Sequence, residues 1–190
     1  MTKGLCILGS TGSIGRQCLC VVKNASDRFH VFALCAGRNL DLLAQQVRDF
    51  APELVVVGNS ELIDPLREGL RNLGVSPTVQ IACGVSGQIE AVTHSEVDTV
   101  VSASHGTTGL VATYKAIQAG KRIGLANKEV LVAAGELVTS GERAGSRNPA
   151  CGQRTLRHPS MSSGGKPCGS PPSHIDRFRW PFSENPSEAS

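Results

Sequence analysis

The sequence predicts an α/β fold built on a doubly wound parallel sheet. Along the first 140 residues, short apolar runs alternate with longer stretches whose apolar residues recur at intervals of three and four. The apolar runs are mostly continuous, as expected for strands that are buried on both faces of a parallel sheet. A series of strand, helix and strand units of this kind folds into one parallel sheet with helices on both faces.

Six strands and five helices follow from this pattern. The predicted strands are residues 5–8, 31–34, 54–57, 79–82, 99–102 and 122–125. The predicted helices are residues 13–23, 40–50, 61–73, 110–119 and 128–138, several of which are followed by Gly or Asn, as helix ends commonly are. Ligands of such sheets bind at the carboxyl ends of the strands, so functional residues are expected at that edge.

The composition changes near Ser140. Residues 1–140 hold 12 basic and 12 acidic residues, whereas residues 141–190 hold 7 and 4, which accounts for the whole net charge of +3. Residues 141–190 also contain 7 of the 10 prolines, and their larger aliphatic side chains, Leu156, Met161 and Ile175, are too few to bury a core. We therefore expect a domain at 1–140 followed by a disordered tail at 141–190.

The composition disfavours several classes of protein. No apolar run approaches the length of about 18 residues that a membrane helix needs, and no secretory signal pattern precedes the first apolar run, so we expect a cytoplasmic protein with no membrane partner. The seven cysteines lack CxxC pairs, which argues against a disulfide framework or a zinc site, and most are expected to be buried thiols. The basic residues of the tail are interspersed with acidic ones, so no nucleic-acid partner is expected.

A glycine-rich segment, GSTGSIG at residues 9–15, directly follows the first predicted strand and opens the first predicted helix. Gly9 and Gly12 permit a tight turn and a close approach of the backbone to a diphosphate, and Gly15 lets the helix pack against the strand. The N–H groups at the helix start attract the anion. The spacing is GxxGxxG rather than GxGxxG, but the position between strand and helix predicts dinucleotide binding. The alternative is a glycine-rich turn that binds nothing.

The end of the second strand indicates which dinucleotide is bound. Gly37, Arg38 and Asn39 follow Ala36 at the point where the adenosine ribose arrives in such folds. An acidic residue there bonds to the 2′-hydroxyl of NAD, whereas Arg accommodates the 2′-phosphate of NADP. Because Arg38 is the first charged residue after the strand, we expect NADP(H). The alternative is that Arg38 is a solvated residue at a helix start.

A third candidate segment follows the sixth predicted strand. Asn127, Lys128 and Glu129 begin a predicted helix there. Polar and charged groups at a helix start on the carboxyl edge of a sheet can contact both a cofactor and an anionic substrate. An ordinary charged helix cap would have the same composition.

Together these segments resemble one family. GSTGSIG at 9–15, CAGRN at 35–39 and LANKE at 125–129, with the spacing between them, look like 1-deoxy-D-xylulose 5-phosphate reductoisomerase, an NADPH enzyme of non-mevalonate isoprenoid biosynthesis. The resemblance covers about residues 4–140 and implies a Rossmann-like NADPH-binding domain. It implies that Lys128 contacts the sugar phosphate substrate. The residues that it implies in NADPH contacts are Thr11, Gly12, Ser13, Ile14, Gly37, Arg38, Asn39, Asn127 and Glu129.

The resemblance also implies a reaction and a metal. The family isomerises the carbon skeleton of 1-deoxy-D-xylulose 5-phosphate and then reduces it by hydride transfer to 2-C-methyl-D-erythritol 4-phosphate, with a divalent metal, Mg²⁺ or Mn²⁺, that polarises the substrate oxygens. For the intact family a homodimer is expected. Its metal ligands come from an Asp-Ser-Glu motif, which this sequence lacks. We therefore assign no metal ligand and no catalytic residue to this chain, and expect it to be inactive while retaining cofactor binding.

A change of reading frame explains the break in composition. Reverse translation of residues 150–162 with allowed codons, read one base out of register, gives PADSERSAIHQC, which contains the Asp-Ser-Glu motif. The same shift over residues 171–182 permits RRLILTASGGPF, which contains the family's Ser-Gly-Gly phosphate motif. At most positions of the shifted frame, codon degeneracy allows several residues. The single codon of Trp180, however, forces Gly in the shifted frame, and the single codon of Met161 allows only Cys or a stop. We therefore expect an out-of-frame tail that begins within a few codons of Ser140, the alternative being a genuine basic tail.

Two other functions remain open on the sequence. One is a non-catalytic NADP-binding module. The other is a fragment of a different NADP-dependent dehydrogenase, which would lack the LANKE segment. Titration with NADPH and NADH tests the cofactor, and assays of this chain and of a frame-corrected version test the activity.

Overall fold

Strands and helices alternate throughout the computed structural model, which describes residues 2–75, 78–106 and 108–126. The strands are β1 (Lys3–Leu8), β2 (Phe29–Cys35), β3 (Leu54–Val57), β4 (Gln80–Cys83), β5 (Thr99–Ser102) and β6 (Arg122–Leu125). The helices are α1 (Ser13–Asn24), α2 (Leu40–Phe50), α3 (Ile63–Asn72), α4 (Gly84–Thr93) and α5 (Leu110–Gln118), with a short 3₁₀ turn at Ser60–Leu62 before α3. All six predicted strands are confirmed, with ends that differ by at most two residues.

The strands form one parallel sheet in the order β4-β3-β2-β1-β5-β6. The chain runs outward from β1 to β4 and then crosses back to β5 and β6, so the direction of winding reverses between β1 and β5. This is the predicted doubly wound, Rossmann-like arrangement. In such sheets ligands bind in the crevice at the reversal, outside the carboxyl ends of the central strands.

The core lies on both faces of the central strands. Every residue of β3 and β5 is buried, which explains why β3 is a continuous apolar run, whereas β5 has two apolar residues between the buried polar residues Thr99 and Ser102. On one face α4 and α5 pack side by side over the sheet, and α2 contacts α3. Leu5, Ile7 and Val55 are fully buried, and each such side chain contributes about 1.5–3 kcal/mol to folding.

Helix α4 is the described element that the sequence pattern did not predict. It contains Gly84 and Gly87, and glycine disfavours helix by about 1 kcal/mol per residue relative to alanine. A Cβ at Gly87 would lie 2.8 Å from the Cβ of Ala82 and 3.1 Å from Cγ1 of Val56. The low helix propensity of α4 is therefore the consequence of its close packing on β3 and β4.

Cys6, Cys18 and Cys35 are buried thiols outside any disulfide, which agrees with the expectation for most of the cysteines. A hydrogen bond with the Cys35 thiol, together with burial, raises the pKa of the Cys6 thiol well above its usual range. Burial raises the pKa of the Cys18 thiol to about 11. Both groups are therefore protonated at neutral pH and act as small apolar side chains.

Two expectations fall on other parts of the chain. The predicted helix at 128–138 and the disordered tail predicted at 141–190 lie outside the described residues. Within the part that is described, no helix combines the length and the apolarity required to cross a bilayer.

Candidate functional site

The glycine-rich segment forms a tight turn between β1 and α1. Gly9 has a φ of +81°, a left-handed conformation that residues with a side chain rarely adopt. A Cβ there would lie 2.6 Å from the carbonyl oxygen of Ala103, which follows β5. The N–H of Gly12 donates to the Gly9 carbonyl at 3.1 Å and closes the turn. Glycine at position 9 is therefore required both by the backbone conformation and by the neighbouring loop.

Helix α1 begins without a side-chain cap. Gly12 is its N-cap residue, no side-chain cap is present among the described residues, and the first turn holds no acidic residue. The N–H groups of Ser13 and Ile14 have no acceptor inside the helix, and the helix dipole places partial positive charge at this end. The start of α1 can therefore receive an anionic group.

The position of α1 depends on Gly15. This residue is buried, and a Cβ there would clash with the Gly9 carbonyl oxygen and lie 2.7 Å from the Cα of Ser10. Any side chain would push the helix away from the turn. The sequence predicted that Gly15 lets the helix pack against the strand, whereas its close contact is with Gly9 and Ser10 in the turn that follows β1.

Hydrogen bonds to β2 and α2 hold the turn from the interior side. The N–H groups of Gly9 and Ser10 donate to the Cys35 carbonyl at the end of β2, at 2.8 and 2.9 Å. From α2, Nε2 of the buried Gln46 donates to the Ser10 carbonyl at 2.9 Å. Sequence reasoning did not single out Gln46, although a polar residue on the apolar side of a predicted amphipathic helix was a signal that could have found it.

The second candidate loop follows β2 and is exposed to solvent at Gly37, Arg38 and Asn39. The Gly37 carbonyl accepts from the N–H of Gly58 at 3.3 Å, which ties the loop to the end of β3. Oδ1 of Asn39 accepts from the N–H of Leu42 at 3.2 Å, so Asn39 caps α2 and keeps its amide nitrogen available for another contact. Within the described part of the chain, the Arg38 guanidinium forms no hydrogen bond or ion pair.

The sheet brings the first two predicted segments to one edge. Leu8 is in register with Cys35 on β2 and with Ser102 on β5, so the loops after these three strands leave the sheet side by side. Leu125 of β6 is in register with Ser102, and the N–H of Ala126 donates to the Ser102 carbonyl at 3.0 Å. The third predicted segment comes next in the chain, but its members lie outside the described residues: Asn127, Lys128 and Glu129.

A dinucleotide carrying a 2′-phosphate fits this edge of the sheet. Position 12 also faces inward, since a Cβ there would lie 3.3 Å from the Gly9 carbonyl oxygen. The turn thus presents backbone rather than side chains to a ligand, beside uncapped N–H groups and an unengaged guanidinium. Backbone N–H groups suit a diphosphate, and a guanidinium suits a terminal phosphate.

A divalent metal does not fit the described residues. Among residues 2–75, 78–106 and 108–126, no three His, Cys, Asp or Glu side chains lie close enough together to hold a metal ion. No step of the chemistry is therefore assigned to a metal in this part of the chain.

A cavity of about 380 Å³ lies at the opposite, amino edge of the sheet, between the starts of β1 and β6. Two of its polar side chains, Lys121 and Asp98, hold that edge together. Nζ of Lys121 donates to the His94 carbonyl at 2.6 Å, and Oδ2 of Asp98 accepts from the N–H of Gly4 at 2.9 Å. The cavity is thus separate from the candidate site.

Comparison with known sequences identifies close relatives. The family model described as 1-deoxy-D-xylulose 5-phosphate reductoisomerase matches residues 5–135. The reductoisomerase of Porphyromonas gingivalis is 45% identical over 138 residues, which cover 73% of this chain and 35% of the relative. That of Geotalea uraniireducens is 51% identical over 136 residues, which cover 72% of this chain and 34% of the relative. The chain thus spans about a third of the length of the relatives that it matches.

Comparison with solved structures gives the same result. A Zymomonas mobilis 1-deoxy-D-xylulose 5-phosphate reductoisomerase in complex with NADPH is 36% identical, with a TM-score of 0.68 over 75% of this chain and 36% of that chain. A DOX-P reductoisomerase in complex with magnesium is also 36% identical, with a TM-score of 0.70 over 75% of this chain and 35% of that chain.

Proposed function

The chain belongs to the 1-deoxy-D-xylulose 5-phosphate reductoisomerase family, and from this we propose that residues 1–140 are the NADPH-binding domain of such an enzyme. The observation that carries the proposal is the glycine-rich turn, which presents bare backbone and the uncapped start of α1 beside the exposed Arg38. In the intact enzyme the reaction would convert 1-deoxy-D-xylulose 5-phosphate to 2-C-methyl-D-erythritol 4-phosphate in isoprenoid biosynthesis.

The residues after β1 are proposed to bind the diphosphate of NADPH. The backbone N–H groups of Thr11, Ser13 and Ile14 would donate to the phosphate oxygens at the positive end of α1. Gly12, whose own N–H is bonded to the Gly9 carbonyl, would contact the diphosphate through its bare backbone. A charged side chain is not required there, because the turn itself supplies the donors. The described chain offers no acidic residue in the first turn of α1 that would repel the anion.

The residues after β2 are proposed to bind the adenosine ribose and its 2′-phosphate. Gly37 leaves room, since a Cβ there would have no heavy atom within 4 Å. Arg38 would pair with the 2′-phosphate, and the amide nitrogen of Asn39 would donate to it or to the ribose. When bound, NADPH supplies the hydride, and the protein contributes position and charge.

The proposal also includes the segment that follows β6, namely Asn127, Lys128 and Glu129. The family resemblance assigns NADPH contacts to Asn127 and Glu129 and the sugar phosphate substrate to Lys128. What supports this is that β6 ends at the same edge of the sheet as β1, β2 and β5, and that these residues follow Ala126 in the sequence. The homodimer of the intact family and the cytoplasmic location remain predictions.

We also propose that residues 141–190 are encoded out of frame and that this chain does not catalyse. What supports this is that allowed codons permit the Asp-Ser-Glu metal motif and a Ser-Gly-Gly phosphate motif in the shifted frame, in the order expected after the cofactor domain. The written frame contains its own Ser163-Gly164-Gly165 triplet, but no Asp-Ser-Glu precedes it. Sequencing the gene tests the proposal, because a shifted frame without both motifs would contradict it.

Titration of the full chain with NADPH and NADH tests the cofactor proposal. We expect NADPH to bind more tightly and to raise the melting temperature, since a ligand at 100 times its Kd stabilises the folded state by about 2.7 kcal/mol. No binding would remove the cofactor assignment, and equal affinity would remove the role of Arg38. Adenosine without phosphate serves as the control for non-specific stabilisation.

A non-catalytic NADP-binding module is the second candidate. It is favoured by the lack of any potential metal cluster in the part of the chain that the structure describes. Assays of the chain and of a frame-corrected version separate the two candidates. Turnover by the corrected version alone supports a reductoisomerase with a shifted frame, and turnover by the present chain would refute its proposed inactivity.

A further inference from the structure

We propose that Gln46 is a positioning residue for the cofactor diphosphate and that it acts through the peptide bond between Ser10 and Thr11. The inference rests on the NADPH site proposed above. Gln46 lies on α2 and is 5% exposed, while Ser10 is fully buried. Nε2 of Gln46 donates to the Ser10 carbonyl oxygen at 2.9 Å.

This contact sets the direction of the Thr11 N–H. The Ser10 carbonyl and the Thr11 N–H belong to one planar trans peptide unit, in which the two groups point to opposite sides. Gln46 holds the carbonyl toward the interior of the protein. The Thr11 N–H is therefore held toward the outer side of the turn, where the diphosphate is proposed to bind.

The other hydrogen bonds of the turn restrain different peptide units. The N–H groups of Gly9 and Ser10 bond to the Cys35 carbonyl, and the N–H of Gly12 bonds to Gly9. Among the described residues, Gln46 is the side chain that bonds to the peptide unit of Ser10 and Thr11. Without it, the turn would keep its overall path while this peptide plane could rotate.

One end of the Gln46 amide forms a hydrogen bond and the other does not. Oε1 of Gln46 is buried without a hydrogen-bond partner among the described residues. An apolar side chain of similar size would remove this unpartnered oxygen but would leave the buried Ser10 carbonyl without its donor. The Nε2 donor is therefore the part of the side chain that acts on the turn.

Helix α2 connects both halves of the proposed site through this residue. Its N-cap is Asn39, the last residue of the loop proposed to bind the 2′-phosphate. Gln46 lies about two turns further along the same helix and contacts the loop proposed to bind the diphosphate. The two loops are thus held at a defined separation by one rigid element.

The test compares two ligands in the full 190-residue chain. Replacement Gln46→Leu is expected to weaken NADPH binding about tenfold, equivalent to ~1.4 kcal/mol, while the affinity for adenosine 2′-phosphate, which lacks the diphosphate, is unchanged. Gln45→Leu is the matched control, because it also replaces Gln by Leu on α2, but at the exposed neighbouring position. This variant is expected to bind both ligands as the parent does.

Three results would overturn the inference. Equal NADPH affinity in the parent and in Gln46→Leu would do so, as would an equal loss for both ligands, which indicates general loosening of the site. Failure of the parent to bind NADPH would remove the proposed function and this inference with it. If Gln46→Leu does not fold, amide NMR of the parent decides, because NADPH must shift the Thr11 amide resonance and an unmoved resonance contradicts the proposal.

Discussion

Gly15 shows how one absent side chain positions a helix. Its φ is not in the left-handed region, so the requirement comes from contact rather than from backbone conformation. The Gly9 carbonyl oxygen and the Cα of Ser10 occupy the space that a Cβ would need. The proposed phosphate-binding end of α1 lies where it does because residue 15 has no side chain.

Replacement Gly15→Ala is expected to destabilise the chain by about 1–3 kcal/mol, as overpacking of a closed contact does, and to weaken NADPH binding. Gly69→Ala is the matched control, because Gly69 is also helical and its Cβ would lie at an ordinary 3.8 Å from that of Ala44. The control should be neutral or more stable by about 0.5–1 kcal/mol. Urea unfolding measures both, and equal stabilities would contradict the assigned contact.

Replacement Arg38→Ala is expected to lower NADPH affinity by about 10- to 100-fold and to leave NADH affinity unchanged. This loss corresponds to a hydrogen bond to a charged group, which contributes about 1.5–3 kcal/mol. Arg48→Ala is the control, since Arg48 lies on α2 and pairs with Asp49 at 2.9 Å. Isothermal titration measures both ligands. If Arg38→Ala changes both affinities alike, Arg38 does not recognise the 2′-phosphate.

At the scale of elements, buried hydroxyl groups fix α5 against the sheet. Oγ of Ser102, at the end of β5, and Oγ1 of Thr113, on α5, are hydrogen-bonded at 2.9 Å, and both residues are fully buried. Oγ1 of Thr113 also donates to the Gly109 carbonyl at 2.7 Å, so the Ser102 hydroxyl is the donor of the pair. A polar pair within an apolar layer restricts the register of helix and strand.

Replacement Thr113→Val is expected to cost about 1–3 kcal/mol, because the shape is kept while the buried Ser102 hydroxyl loses its acceptor. Thr93→Val is the control: Oγ1 of Thr93 donates to the Ile89 carbonyl at 2.8 Å in the same manner, but Thr93 is exposed at the end of α4. The control should change stability by less than about 0.5 kcal/mol. Denaturant unfolding of the two variants gives the comparison, and similar losses would contradict the argument.

Elements with a clear apolar pattern in their own residues could be predicted from the sequence. Strand 54–57 is an unbroken apolar run, and helix 40–50 has a clear apolar face, so both have the predicted bounds. Helix α4 could not be predicted, because it contains Gly87, whose close contact with β3 and β4 is not revealed by sequence spacing. The irregular register between β1 and β2 after Leu5 likewise depends on the neighbouring strand.

The same limit applies to the candidate site. Gly9, Gly15 and Arg38 could be singled out because a strand, a turn and a helix start follow one another in the chain. The polarity of Gln46 on the apolar side of a predicted helix could have drawn attention to it, but its partner could not be predicted, because Ser10 is 36 positions away and only the packing of α2 brings them together.

At the scale of the whole molecule, buried thiols make the free energy of unfolding fall as pH rises into the alkaline range. The pKa of Cys18 is about 11 when folded, above the ordinary value of about 8.5 for an exposed thiol. As pH rises, the unfolded state therefore loses this proton first. The contribution is fully present below the ordinary pKa and is lost as pH rises toward 11, and the raised pKa of Cys6 acts in the same direction.

The unfolding free energy of the parent should accordingly fall faster between about pH 9 and 11 than that of Cys18→Ala, by up to ~1.4 kcal/mol per pH unit. Val22→Ala is the control, because Val22 is buried on the same helix and does not titrate. It should lower stability by a constant amount and keep the slope of the parent. Urea unfolding across this pH range measures the slopes, and equal slopes for all three proteins would exclude the Cys18 contribution.

The sequence by itself determined the α/β class, the positions of the strands, the glycine-rich turn and the resemblance to a reductoisomerase, because these are properties of residues that are adjacent or regularly spaced. Only the tertiary structure decided the strand order, the placement of α4, the clearance at Gly15 and the contact between Gln46 and Ser10. These depend on which distant segments meet, and that is set by packing across the sheet. The electrically balanced first 140 residues contain this folded part, and the net charge of +3 belongs to the remaining 50, where reading frame rather than packing is the question to test.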